Sequence, residues 1–291
     1  MPTFRRVADG VICGGFTDHH VHLQLVDASR LSGSVLGRVV DLGGDPAALA
    51  ALATASPGVG IRFAGAFLTP PGGYPSDRAW APDGSVLEIA DADAAATAVA
   101  AMTAAGAAVI KVTSNSTAGP VFSDALFRAI VEVATANDLP VVAHAEGPGE
   151  AQRVARLGAQ VLAHAPFTER LTDAEIAAQA TSAMWISTLA IHEGSTYDIA
   201  VDNVRRFHAA SGQVLYGTDM GNGPTPVDLD PREIAALRAA GIDGEDLLRA
   251  LAPQDVDDPE SRLLFAPGDP DDPIDPLLAR PLTPADLEDP S

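Results

Sequence analysis

The segment Gly15-Phe16-Thr17-Asp18-His19-His20-Val21-His22-Leu23 places two histidines one residue apart. Residues i and i+2 of an extended strand point to the same side, so His20 and His22 can offer two imidazole nitrogens to one metal ion. Taken alone, the pair is weak evidence for a metal, since two polar residues at a strand end more often give the same pattern. His19 points the other way and is expected to be structural. Four further residues raise the interest of the pair, because each closes its own apolar run. They are Lys111 in Val109-Ile110-Lys111-Val112-Thr113, His144 in Val141-Val142-Ala143-His144-Ala145, His164 in Val161-Leu162-Ala163-His164-Ala165, and Asp219 in Leu215-Tyr216-Gly217-Thr218-Asp219. Any one of them also fits a polar group hydrogen-bonded to a loop. Coincidence at five strand ends points instead to a shared site. Imidazoles and carboxylates suit zinc first among common ions, with manganese, iron and cobalt as alternatives.

Such residues must be brought together by the elements that carry them. From residue 11 onward, short Val/Ile/Leu/Phe runs alternate with alanine-rich amphipathic stretches, the pattern of repeated β-then-α units around a parallel sheet. Strands are expected at 11–17, 37–42, 60–68, 107–113, 139–145, 159–165, 184–190 and 213–218. Helices are expected at 45–54, 91–105, 123–137, 149–157, 172–180, 197–210 and 231–240, with Ser123 as a cap and Asp230-Pro231-Arg232-Glu233 as a start signal. Eight units suit an α/β fold of the TIM barrel, (β/α)8, type, whose strand C-terminal ends converge on one face where active sites are built. Two stretches lie outside the pattern. The loop 69–84, with Pro70, Pro71, Gly72, Gly73, Tyr74, Pro75 and Trp80, is longer than a usual βα connection. Residues 253–291 are rich in proline and aspartate and read as an extended or partly disordered tail, with Leu263-Leu264-Phe265 as its docking segment. The expected division is therefore a barrel over 1–252 and a tail over 253–291.

Composition narrows the partners. With 18 Lys+Arg against 39 Asp+Glu, the chain of 291 residues carries a formal charge of −21 and should repel nucleic-acid phosphates and anionic membranes. Cys13 is the single cysteine, so no intrachain disulfide can form. No apolar run approaches the roughly 18 residues of a membrane span, and the N-terminus lacks a signal-peptide core, so a cytoplasmic location is the default expectation. Homo-oligomerisation stays open, dimers being the commonest case.

On His20-Val21-His22, Lys111, His144, His164 and Asp219, on strands one, four, five, six and eight, the chain resembles the binuclear amidohydrolase superfamily over roughly residues 11–250. Gly106-Ala107-Ala108-Val109-Ile110-Lys111, Phe122-Ser123 and Leu139-Pro140-Val141-Val142-Ala143-His144-Ala145 look like its imidazolonepropionase-like and prolidase-like branch. The resemblance implies two divalent metal ions, with His20 and His22 on the more buried one, His144 and His164 on the other, and an N-carboxylated Lys111 bridging them. Asp219 would ligate the buried ion and handle the proton. A lysine ammonium beside two dications would be repelled, which also favours a modified Lys111. The activity implied is hydrolysis of a carboxylic amide, ester, lactone or cyclic amide of a small molecule by metal-activated hydroxide. Phosphotriesterase-type and mononuclear deaminase or ring-opening activities are the alternatives, followed by a non-catalytic metal-binding barrel. Two departures stand out. The β-sandwich usual in relatives is expected to be reduced or absent, and Gly72-Gly73-Tyr74 stands where many relatives have Gly-Gly-His. Tyr74 and His192, the latter in Leu189-Ala190-Ile191-His192-Glu193-Gly194, are the candidate substrate contacts, with Phe67, Trp80 and Tyr216 as further candidates for an aromatic mouth.

Overall fold

The computed structural model describes residues 4–7, 9–56, 58–268, 274–283 and 286. Along the chain run β1 (Arg5–Val7), β2 (Gly10–Gly14), β3 (Phe16–Val21), β4 (Leu36–Asp41), helix α1 (Pro46–Ala55), β5 (Gly60–Phe63), β6 (Phe67–Thr69), β7 (Val86–Glu88), α2 (Ala92–Ala105) and β8 (Ile110–Asn115). They are followed by α3 (Asp124–Ala136), β9 (Val141–Glu146), α4 (Glu150–Arg156), β10 (Val161–Leu162), α5 (Asp173–Ala180), β11 (Met184–Ile186) and α6 (Gly194–Ala209). Last come β12 (Val214–Leu215), α7 (Pro231–Ala239), α8 (Gly244–Leu251), β13 (Leu263–Pro267) and β14 (Arg280–Pro281).

The fold is mixed α/β, centred on a seven-stranded parallel sheet in the order β12-β11-β10-β9-β8-β6-β7 and a three-stranded parallel sheet β3-β4-β5. The expected third strand, 60–68, is divided between the two sheets at Gly65. That residue has φ 75°, and a Cβ there would meet Met102 Sδ at 2.5 Å, so α2 packs against a bare backbone where the strand turns. Beyond the break, the Ala108 N–H donates to the Phe63 carbonyl at 2.8 Å. At the other margin, β3 meets the segment after β12 through a single bridge, Val21 to Met220. The His19 N–H donates to the Tyr216 carbonyl there at 2.9 Å, and the His22 N–H to the Met220 carbonyl at 2.7 Å.

Five helices start where their caps predict, whereas α6, expected from 197, begins at Gly194 without a side-chain cap. Asp45, Asp91, Ser123, Thr172 and Asp230 each accept a bond from the first turn, and Thr172 with Glu175 forms a reciprocal capping box. Helix α8 is an addition to the sequence reading. Its start, Asp243 capping Gly244, lies only a few residues beyond α7, where Gly241 suggests a stop rather than a second start.

The first expected strand also needs correction. Residues 10–14 leave the parallel array and pair antiparallel with β13, Ile12 opposite Phe265 and Cys13 opposite Leu264, in a four-stranded sheet β1-β2-β13-β14 drawn from both chain ends. The strand that carries the histidines begins at Phe16. Leu263-Leu264-Phe265 thus docks as expected; the parts of the tail reading at 269–273, 284–285 and 287–291 lie outside the described residues. Among the described residues, no helix is long and apolar enough to cross a membrane.

Candidate metal centre

The six candidate ligands, His20, His22, Lys111, His144, His164 and Asp219, and the two candidate substrate contacts, Tyr74 and His192, line one cavity of about 650 Å³. His20 sits on the last turn of the pleat in β3 and His22 just beyond it; Lys111 and His144 lie on β8 and β9, where Lys111 pairs with Val142 and Thr113 with His144. His164 follows β10 by two residues. Asp219 lies past the regular part of β12 with φ 55°, a left-handed conformation costly for a non-glycine residue and frequent at functional sites.

The tightest group is His20, His22 and Asp219, all buried, whose donor atoms lie within 4.8 Å of one another. Both histidine Nε2 atoms stand 3.2 Å from Asp219 Oδ1. The opposite nitrogens settle the tautomers. His20 Nδ1 lies 2.8 Å from the Ala163 carbonyl and His22 Nδ1 3.1 Å from the Gly43 carbonyl. A carbonyl oxygen only accepts, so each Nδ1 carries a hydrogen and Nε2 is the nitrogen that each ring turns toward the carboxylate. Three lone pairs converging at such distances call for a cation between them. In tetrahedral zinc with Zn–N of 2.0–2.1 Å, neighbouring ligands lie about 3.3 Å apart, so this donor set fits a metal ion in both chemistry and spacing.

The second cluster is looser. The His164 ring is 4.7 Å from His20 and 5.0 Å from His144, and its Nδ1 is hydrogen-bonded at 2.9 Å to Thr188 Oγ1. His144 Nε2 lies 3.2 Å from Glu146 Oε2, which leaves Nδ1 as the nitrogen that can face an ion. Burial pushes His164 well below the ordinary imidazole value, with His20 adding to it, and burial together with Lys111 does the same to His20. Both are neutral, as ligands must be. Burial opposes protonation of His22 as well, but the hydrogen bond to Asp219 prevails and holds it above its usual value. For Asp219, burial works toward a neutral carboxyl, and is outweighed by His20, by the bond with His22 and by His164, which hold it well below the carboxylate range. The Lys111 ammonium is pulled down from 10.5 to about 7 by burial, against the pull of Asp219 and Asp41.

Several residues that position the group were not singled out from the sequence. Asp18 is fully buried and accepts from the His20 N–H at 2.9 Å, the Thr218 N–H at 3.2 Å and the Thr218 hydroxyl at 2.6 Å, tying the start of the centre to its last residue. Asp41 accepts from the Leu23 N–H at 2.6 Å and the Gly43 N–H at 2.9 Å, fixing the carbonyl that orients His22. Thr188, itself at φ 42°, orients His164, and Glu146 orients His144. Asp41 closes the run Val39-Val40-Asp41 in the same way as Asp219 closes its own, so the signal used for the ligands would have found it. Thr188 and Asp18 give no such signal.

Tyr74 is held over the centre by its own backbone. Its carbonyl accepts from Thr113 Oγ1 at 2.6 Å and Thr69 Oγ1 at 2.8 Å, and its ring stacks on His144 at 5.3 Å. Phe67 and Trp80 join this wall, whereas Tyr216 does not. Tyr216 is fully buried behind the centre and its phenolic oxygen accepts from the Asp230 N–H at 2.8 Å. His19 is likewise structural, its Nδ1 facing the Tyr216 carbonyl at 3.0 Å.

No sequence-family model matches the chain, and no curated protein matches it. Solved structures do. One is a Xaa-Pro dipeptidase with bound methionine in its active site, 15% identical over 89% of this chain and 81% of that one, with a TM-score of 0.66. Another is the ochratoxinase of A. niger, 18% identical over 89% and 77%, with a TM-score of 0.66. A third is a dihydroorotase, 15% identical over 88% and 76%, with a TM-score of 0.62. The likeness at such identities is one of fold: this chain shares the fold of these solved structures.

Proposed function

We propose that the protein is a metal-dependent hydrolase of the amidohydrolase superfamily that cleaves a carboxylic amide, ester, lactone or cyclic amide bond of a small molecule. The observation that carries this reading is the convergence of His20 Nε2 and His22 Nε2 on Asp219 Oδ1, each at 3.2 Å, with both Nδ1 atoms turned to carbonyl oxygens. The parallel strands are read as a (β/α)8 barrel, which the backbone bonds at both margins of the two sheets support. Residues 1–252 are then the catalytic unit and 253–291 an appendage tied back through β13.

Two divalent ions fit, zinc first and manganese, iron or cobalt after it. His20, His22 and Asp219 would hold one, His144 and His164 the other, and Lys111 would lie between them as a carbamate. Bound there, the ions supply a water of lowered pKa and polarise the scissile carbonyl. The chain's own residues do the rest. Lys111, brought to about 7 by burial, has a substantial share of free amine near neutrality. The free amine nitrogen can add to the carbon of carbon dioxide, forming a C–N bond as one C=O π bond opens onto oxygen and releasing an N–H proton, so that a neutral amine becomes an anion. Asp219, held ionised, can take the proton of the attacking water and deliver it to the leaving nitrogen or oxygen.

A mononuclear site is a second reading that one observation favours. Only His20, His22 and Asp219 form the compact donor group among the described residues, while His144 is engaged by Glu146. The test is a panel of esters, lactones, anilides and dipeptides, assayed before chelation, after it, and after adding zinc, manganese or cobalt. Turnover that vanishes on chelation and returns with metal is expected; full activity in metal-free protein would refute the reading.

A further inference from the structure

The cavity has two unlike walls. On one, the Tyr74 ring lies 6.2 Å from Trp80, and Phe67 stands edge-on to Trp80 at 6.1 Å. Trp80 keeps 40% of its surface exposed, and among the exposed large apolar side chains of the described residues it is the one that lines this cavity. A flat apolar group laid against it would remove indole surface from water. On the other wall, His192 packs against Phe167 at 4.3 Å, and its Nε2 is buried without a hydrogen-bond partner. Burial pulls His192 down to about 4, so its imidazole is neutral at pH 7 and can meet a neutral polar group.

Charge decides what the ring can carry. Among the described residues, the lysine and arginine side chains lining the cavity are Lys111, inside the candidate centre, and Arg232. Arg232 is already committed: it donates from Nη2 and Nε to Asp230 at 2.9 and 3.3 Å and from Nη2 to the Pro224 carbonyl at 3.3 Å. Arg78, 5.6 Å above the Tyr74 ring, pairs with Asp77 at 3.3 Å. Besides Asp219 in the candidate centre, two acids, Glu146 and Glu193, line the same cavity. A carboxylate placed at the aromatic end of a substrate would lose water where the lining arginine, Arg232, is already shared with Asp230, and would face like charge.

We infer that the cavity selects a neutral aromatic amide or ester, with its ring against Trp80 and Tyr74 and no carboxylate at the ring end; this rests on the hydrolase reading above. Free dipeptides and N-acyl amino acids are then poor substrates compared with uncharged aryl compounds.

The probes are 4-acetamidobenzamide and 4-acetamidobenzoate, alike in shape and different in charge at the far end of the ring. Their binding to metal-loaded protein at pH 7.5 is read by quenching of tryptophan fluorescence and, independently, by calorimetric titration. Trp185, the other tryptophan, is buried against Phe207 with ring centroids 3.8 Å apart, so quenching reports Trp80. The neutral amide should bind with a Kd at least about tenfold lower than the carboxylate, about 1.4 kcal/mol. Trp80→Phe should abolish the quench while calorimetry still detects the amide. Equal or tighter binding of the carboxylate overturns the inference, as does the absence of saturable binding by either probe. Binding preference is read without turnover, so a protein that hydrolyses esters but shows no preference loses only this inference. One that prefers the amide but never turns over loses the hydrolase reading instead.

Discussion

Glu233 on α7 is a fully buried carboxyl whose Oε2 accepts from the Ala190 N–H at 2.7 Å, while Oε1 has no hydrogen-bond partner. Through that bond it holds the turn leading to His192. Burial raises its pKa from 4.5 to about 7, against the hydrogen bonds from Ser187, Leu189 and Ala190. For an acid raised in the folded state, the neutral form is the one folding favours. The resulting stability is therefore complete below pH 4.5, lost as pH rises through 7, and absent above it. The shift of about 2.5 units corresponds to about 3 kcal/mol in all, of which roughly 2 to 3 kcal/mol is lost between pH 5 and 8. Glu233→Gln keeps the shape and an acceptor for Ala190 but cannot ionise. Urea unfolding of wild type and variant at pH 5, 6, 7 and 8 should show the wild type losing roughly 2 to 3 kcal/mol more than the variant across that range, at equal m-values. Parallel pH profiles would refute the argument, because they would mean that Glu233 meets water or a counter-charge in the folded protein.

Two further outcomes bear on the centre. Asp219→Asn keeps the side-chain shape but cannot take a proton, and should lower turnover by about 10²-fold or more with the fold retained, as checked by steady-state kinetics beside circular dichroism. Lys111→Ala should lose one ion, since two dications about 3.5–4 Å apart would lack the bridging anion, and the site held by His20, His22 and Asp219 should keep its ion longer than the one held by His144 and His164. Acetate or propionate at high concentration should partly restore metal and rate together, measured as metal content and turnover with and without the acid.

Much of the site was legible in the residues because parallel strands impose a simple rule: a polar residue ending an apolar run reaches the same face as its counterparts on neighbouring strands. His144 and His164 obey it; Lys111, expected to end its strand, is instead the second residue of β8, and all three line the cavity with His20, His22 and Asp219. What the rule cannot read is pairing across long sequence separation. Residues 10–14 look like the start of the histidine strand because Gly14-Gly15 does not interrupt the apolar pattern; only the partner strand at 263–267 reveals the change of sheet. Gly15 marks the transition, for a Cβ there would lie 2.6 Å from Gly37 Cα. Tyr216 illustrates the converse limit. Next to Asp219 in a pattern of strand-end residues it resembles a pocket aromatic, yet alternation turns its ring to the helices, where it supports Asp230. Thr188 and Asp18 were silent since their work is to orient other side chains through local bonds, which composition and period do not encode.

The central claim is that His20, His22 and Asp219 surround a cation, and the metal content of the purified protein tests it most directly. Elemental analysis should find between one and two divalent ions per chain, and a variant carrying both His20→Ala and His22→Ala should lose at least the ion that those residues would hold. Wild-type protein that stays free of metal after incubation with zinc, manganese and cobalt, and still folds, would contradict it.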